Sequence, residues 1–467
     1  MEKKLENCQI RPHICTHHPE LAQIFEAALD NVMNINTVPC DWGTYNRTGK
    51  LDSSCPWMIR AGACYEQPWT RDAVLNTWNC GNFTQPGIAR NTLLAVCEQR
   101  QGHMVIQQDD QDWDRVIWII GAWQHVLATG NRDFAKDALA AAEYEWQQAE
   151  NNRFHTGYGL FTGGSFFNDG ISGYPLDLYE SADGPGFQGL HPKVRAAMSL
   201  STNCISYGAY LCTAALAEFL GHPGDCFREK AKALKKRIQD NFLTQEGYAY
   251  LLYPDGRQCR MQEACGWIFA AMSGICDDPA ALLKKMQRSP AGLTSICPDF
   301  EGVKTPARHN QLIWPFINGF FVQAAAQAGE LELAYKEFDL LTKLYLGSGN
   351  HFFEIYDQEG RVEGGWQAGS HYDSCHDQTW SASLYIGAVL YGFLGLKITT
   401  KGIHFTPAVP KELEGLGIEG LQIREGRIAL TTSGCGKRIQ KICVNGKDAE
   451  NFPIPFSGEW KIHLELA

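Results

Sequence analysis

Three short stretches carry residue types that could do chemistry. In FFEIYDQEGRVEGGW, residues 352–366, Glu354 follows two phenylalanines and precedes Tyr356 and a glycine-rich turn. In GGSFFNDGISGYP, residues 163–175, Asp169 sits between Asn168 and Gly170. In YEQPWTRDAVLNTW, residues 65–78, Arg71 and Asp72 come just after Trp69, where a helical pattern begins. Two carboxyl groups on distant loops suit paired acid–base work: one gives a proton and the other takes one from water. For a glycosidic bond attacked by water from the opposite face, such groups stand about 6.5–9.5 Å apart. The acid needs a raised pKa, which apolar walls such as Phe166 and Phe167 would supply, and the base must stay ionised. An arginine fork and a carboxylate beside an indole would clamp neighbouring hydroxyls.

Each stretch also has a plainer reading. Asp169 is a turn aspartate before a glycine. Glu354 is a surface glutamate at a turn, and Arg71-Asp72 is a helix start with an ion pair. Asp177 and Glu180, in LDLYES, compete with Asp169 as the acid. Further candidates to line a pocket are Trp113 and Asp114 in QDDQDWDRVIW, Trp314 in HNQLIWP, Trp366 and Gln367 in GGWQAG, and Trp380 in HDQTWSA.

The elements that must position these residues are mostly helices in pairs. YGAYLCTAALAEFLG stops at Gly221, and a second helix begins at Asp225, a candidate N-cap. In that helix Phe227, Ala231, Leu234, Ile238 and Phe242 fall on one face. Similar pairs occur at 115–130 with 132–149, at 265–276 with 278–287, and at 313–329 with 331–345. The first helix of each pair is apolar nearly all round and the second is amphipathic, as for an inner helix and an outer one. Repeated about six times, this predicts a mainly α fold, an (α/α)6 six-hairpin toroid. Its long loops, such as 157–187, would gather at one mouth and line a pocket. After about residue 396, alternating apolar and polar positions with Gly and Asn-Gly turns predict a small C-terminal β-sandwich domain. The expected domains are therefore 1–395, a helical barrel, and 396–467, a β domain.

The chain has 467 residues, 44% hydrophobic and 20% charged, with a formal net charge of −11. That balance argues against a nucleic-acid surface, which needs clustered Lys and Arg. The 13 Trp, 17 Tyr and 23 Phe, many beside Gly, Asn and Asp, suit a cleft where rings stack on sugar faces. The N-terminal stretch lacks an apolar signal region, and no window is long enough to span a membrane. The 17 cysteines are odd in number and irregularly spaced, which reads as reduced thiols in a cytoplasm. Cys15, His17 and His18, or Cys375 and His376, lack the paired spacing of zinc sites. No metal and no cofactor are expected.

The order of the motifs resembles the inverting glycoside hydrolases with a six-hairpin α/α barrel: trehalase, the processing α-glucosidases and, more distantly, glucoamylase. WTRDA is similar to the sugar-binding Trp-Thr-Arg-Asp-Ala of glucoamylase and the Pro-Arg-Asp of trehalase, which implies sugar contacts at Trp69, Arg71 and Asp72. GLFTGGSFFNDG loosely resembles the trehalase loop ending in Gly-Trp-Asp that carries the general acid, which maps onto Asp169. Asn168 stands where trehalase has Trp, and the arginine that follows there is missing. LDLYES resembles the acid-bearing run of glucoamylase, so Glu180 is the alternative acid. FEIYD resembles the segments whose glutamate is the base, which maps onto Glu354. In that reading Phe352 and Phe353 are pocket wall, and Tyr356 orients the base. CHDQTWSASLYIGAVL resembles the segment that closes the barrel. The resemblance implies an exo-acting inverting hydrolase, α-glucosidase- or trehalase-like, acting on a short oligosaccharide or glycoside. A phosphorylase of the same barrel and a non-catalytic carbohydrate-binding protein are the alternatives.

Overall fold

The computed structural model describes residues 5–106, 111–179, 186–301, 308–362, 365–367, 370–372, 374–450 and 453–467, the side chains of 365–367 and 370–372 excepted. The chain is mainly helical and ends in a sheet. Twelve helices carry the argument: α1 (Pro19–Asp30), α2 (Thr70–Asn76), α3 (Pro86–Ala95), α4 (Asp112–Thr129), α5 (Arg132–Arg153) and α6 (Leu200–Leu220), then α7 (Asp225–Phe242), α8 (Ala264–Met272), α9 (Pro279–Lys285), α10 (Pro315–Ala328), α11 (Leu331–Gly347) and α12 (Thr379–Gly387).

The sequence explains their boundaries. α4, α6 and α10 each end at a glycine in the left-handed region, Gly130, Gly221 and Gly329, with φ of 69, 90 and 86°. A side chain is strained there, so glycine stops the helix and lets the chain reverse into the next one. α5 starts where the Asn131 side chain accepts from Phe134 N. At α7 the expected cap is displaced by one residue. Asp225 is the first helical residue and Gly224 occupies the cap, without a side-chain bond. The apolar face of α7 is as expected, with Ala231, Leu234, Ile238 and Phe242 buried.

Consecutive helices pack as pairs: α4 with α5, α6 with α7, α8 with α9 and α10 with α11, while α12 packs on α1 from the other end of the sequence. The first members also touch one another in order. α2 packs on α4, α4 on α6, α6 on α8, α8 on α10, α10 on α12, and α12 returns to α2. These helices are buried on nearly all sides; α10 buries Phe316, Ile317, Phe320, Phe321 and Val322 together.

The sheet has six strands: β1 (His13–Cys15), β2 (Gly417–Ile423), β3 (Glu425–Ser433), β4 (Ile439–Val444), β5 (Lys447–Ala449) and β6 (Ser457–Leu466), in the order β1-β2-β3-β6-β4-β5. β3 and β6 are parallel and the other neighbours antiparallel. The edge strand β1 comes from the N-terminal segment, with His13 opposite Glu419. Arg424 donates to the Leu127 carbonyl near the end of α4, and Lys437 donates to Gln327 near the end of α10. The sheet thus docks at the C-terminal ends of these helices and leaves their N-terminal ends to the loops.

Candidate active site

Those N-terminal ends meet around a cavity of about 280 Å³. Its lining comes from the starts of α2, α4 and α12, the N-cap of α10, and the loops before α6, α10 and α12. Helix N-termini carry partial positive charge, which favours carboxylates gathered at this end.

Of the residues expected from sequence, Trp69, Arg71, Asp72, Asp114, Asp169, Trp314, Glu354 and Trp380 all line this cavity. Trp113 does not. It is fully buried in the core, because successive helical residues point about 100° apart and Asp114 takes the cavity side of α4. Glu180 lies outside the described residues. Trp366 and Gln367 form a short strand, Gly365–Gln367, whose side chains also lie outside them. Asp177 is off the cavity, paired with Arg257 at 3.3 Å and Tyr253 at 3.1 Å.

Arg71 is the hub. Its guanidinium lies over the Trp380 ring at 5.7 Å, with Nη1 3.8 Å from Asp169 and Nε 4.0 Å from Asp72. Burial works against its charge, but Asp169, Asp72, Asp114 and Glu354 outweigh that, and its pKa stands above the ordinary value. The same burial acts oppositely on Asp72. It pushes the carboxyl well above the usual range against the pull of Arg71, with Glu354 and Asp114 adding to the rise. Gln378 donates to Asp72 Oδ1 at 3.1 Å.

Asp169 is the opposite case. The expectation of a raised pKa between Phe166 and Phe167 does not hold. Phe166 packs into the core against Phe269 and Phe316, and Phe167 turns its ring to Trp314 and His309. Burial alone would raise the Asp169 carboxyl, but His309, Arg71 and Arg308 win and hold it well below the carboxylate range. Burial also lowers the pKa of His309, against the raising pull of Asp169. Nε2 donates to Asp169 Oδ1 at 2.9 Å, while buried Nδ1 has no hydrogen-bond partner. The ring stacks on Trp314 at 4.9 Å. Gly170 is required here, since a Cβ would lie 2.6 Å from His309 Nδ1.

Glu354 is buried, at 4% exposure, and its Oε1 accepts from the Tyr65 hydroxyl at 2.9 Å. Its backbone N–H donates to the Cys375 carbonyl at 2.8 Å. Tyr356 is not the orienting partner. Its hydroxyl meets Ser348 and Phe353 N, and its backbone pairs with Ile313. Nor do Phe352 and Phe353 line the cavity; Phe352 packs on Tyr345 and Tyr385.

Two lining residues, Trp69 and Phe167, hold φ of 43 and 59°, and Asp377, before Gln378, holds 50°. Side chains rarely adopt this region, and such strain gathers where geometry is fixed for function. Sequence reading missed Tyr65, Gln111, Arg308, His309 and Gln378. Each lies inside or beside a motif that was noticed: Tyr65 opens the Arg71 stretch, and His309 opens HNQLIWP.

Comparison with known proteins adds to this geometry. The family described as the mannosylglycerate hydrolase MGH1-like glycoside hydrolase domain matches residues 65–381. No curated protein matches the sequence. A sialidase structure aligns at a TM-score of 0.69 and 14% identity, over 96% of this chain and 41% of that one. A GH78 rhamnosidase of Bacillus sp. GL1 aligns at 0.56 and 16%, over 98% and 44%. The chain thus spans about two fifths of the length of these two proteins. The GH63 mannosylglycerate hydrolase of Thermus thermophilus, in complex with Tris and D-glycerate, aligns at 0.54 and 13%, over 79% of this chain and 99% of that one.

Proposed function

Because this chain belongs to the MGH1-like glycoside hydrolase family, within the six-hairpin glycosidases, and is a glycosidase, we propose that it is an exo-acting inverting hydrolase of a short oligosaccharide or small glycoside. The observation that carries this reading is that Asp169 and Glu354, 185 positions apart, line one cavity with the Arg71-Asp72 pair. Asp169 is the general acid and Glu354 the general base. Glu354, held by Tyr65, takes a proton from water as it attacks the anomeric carbon. Asp169 gives its proton to the leaving oxygen. Arg71, Asp72 and Asp114 bind hydroxyls, and Trp69, Trp314 and Trp380 pack on the sugar ring.

In the free protein Asp169 is ionised, so it takes up a proton from the solvent as the substrate binds. Sugar hydroxyls compete for Arg71, and a filled cavity excludes water; both changes favour the neutral acid. The matching family model, the MGH1-like one, is a different branch from the trehalases and α-glucosidases of the sequence resemblance. In a glycoside of a small hydroxy acid, the carboxylate would fall to Arg308, which lines the cavity with Arg71 among the carboxyl groups of Asp72, Asp114, Asp169 and Glu354.

The cyclic packing of α2, α4, α6, α8, α10 and α12 supports the six-hairpin toroid, residues 1–395, with a β domain at 396–467. Its β1 strand is then an N-terminal strap across that boundary. The odd number and irregular spacing of the 17 cysteines favour a reducing cytoplasm, and among the described residues no helix is long and apolar enough to cross a membrane.

The test is turnover of a panel of aryl glycosides, disaccharides and hydroxy-acid glycosides in phosphate-free buffer. Release of free sugar supports the reading. Release of sugar 1-phosphate only when phosphate is added makes the chain a phosphorylase, and no turnover of any substrate removes the proposal.

A further inference from the structure

We propose that His351, His376 and Asp377 form a binding site for one divalent transition-metal cation of the zinc, nickel or cobalt class. The site lies beside the segment that carries Glu354. Asp377 bridges the two imidazoles: Oδ1 is 2.9 Å from His351 Nδ1, and Oδ2 is 2.9 Å from His376 Nδ1. One ligand atom from each residue lies within 4.8 Å of the others, and among the described residues this is the one such grouping of three.

The geometry is close to what an ion needs. With bonds of about 2.0–2.2 Å, tetrahedral ligand atoms stand about 3.3–3.6 Å apart. Small turns of the two rings reach that spacing, and the rings have room for them, at 51% and 56% exposure. The carboxylate is already placed. Asp377 is 13% exposed, and its carbonyl accepts from the Asn36 side chain at 2.7 Å and from Ala63 N at 3.3 Å. Two imidazole nitrogens and one carboxylate oxygen suit zinc, nickel or cobalt better than magnesium or calcium, which prefer oxygen alone. Three protein ligands leave a coordination position for water.

The ion would tie two segments that meet at the base. His351 is three residues before Glu354. Cys375 accepts the Glu354 N–H, and Gln378 holds Asp72. A bound cation thus clasps the Glu354 segment to the start of α12 without entering the cavity.

The experiment is calorimetric titration of the full-length, EDTA-treated protein with NiCl2, under reducing conditions. Nickel is chosen because thiolates favour zinc and copper, and the chain has 17 cysteines. One equivalent binds the wild type, and the affinity falls at least about tenfold in H351A and in H376A. Nickel raises the melting temperature of the wild type and not of the variants. X-ray absorption of the wild-type complex shows nitrogen and oxygen neighbours without sulfur, a readout that does not depend on the variants. Equal binding by both variants, a sulfur shell, or no heat at millimolar nickel overturns the proposal.

Discussion

The Tyr65 hydroxyl donates to Glu354 Oε1 at 2.9 Å, across 289 positions of sequence. It fixes the direction of a carboxylate that is almost fully buried. Removing that bond by Tyr65→Phe leaves the ring's packing but lets the carboxylate turn. A hydrogen bond to a charged group contributes about 1.5–3 kcal/mol, so kcat falls about 10- to 100-fold with little change in KM. Steady-state kinetics checks this, and an unchanged kcat removes Tyr65 from the mechanism.

The two carboxyl roles separate by leaving group. Asp169→Asn and Glu354→Gln each lower kcat by about 100- to 10,000-fold on ordinary glycosides. Glycosyl fluorides need no proton on departure, so Asp169→Asn recovers most of its rate on them and Glu354→Gln does not. If Asp169→Asn is fully active and Glu180→Gln is not, the acid is Glu180.

His309 sets the ionisation of Asp169. Its hydrogen bond favours the charged carboxylate, so losing it in His309→Ala raises the Asp169 pKa. An acid is active while protonated, and the alkaline limb of the kcat–pH profile therefore moves to higher pH in the variant. A limb that stays in place, or moves to lower pH, contradicts the pairing.

Glu263 anchors the acid loop from behind. It is buried, accepts from the Ser165 hydroxyl, and accepts from Ser201 N at 3.2 Å. Burial pushes its pKa up to about 7, against the pull of those bonds. The folded pKa exceeds the unfolded one, near 4.3. Its contribution to stability is thus complete below about pH 4 and is lost as pH rises through 7. Glu263→Gln keeps the shape without the charge, so its melting temperature gains on the wild type from about pH 4 to 7 and the gain levels off above that. A constant difference across that range contradicts the shift. Glu263→Ala leaves buried donors unpaired and costs about 1–3 kcal/mol.

The helix pairs were legible because burial imposes a period on the sequence. All-round apolar helices and one-faced helices alternate in the chain as they do in space, and glycine marks three of the helix ends. Arg71, Asp72, Asp169 and Glu354 were legible because polar groups beside aromatics and glycines are unusual in a core. Partners were not. Tyr65 reaches Glu354 and His309 reaches Asp169 across 289 and 140 positions, distances that no local pattern encodes. Tyr356 was the nearer tyrosine, but its backbone pairs with Ile313 and its hydroxyl meets Ser348. The histidine pair bridged by Asp377 escaped for the same reason. His351 and His376 are 25 positions apart, and only the fold brings them to one carboxylate.

The most direct test of the acid–base account is the anomer of the first sugar released, read by proton NMR before mutarotation. Water activated by Glu354 attacks the face opposite the leaving group, so the product has the anomeric configuration inverted from the substrate. A product that keeps the substrate's configuration requires a covalent intermediate and contradicts the roles given to Asp169 and Glu354.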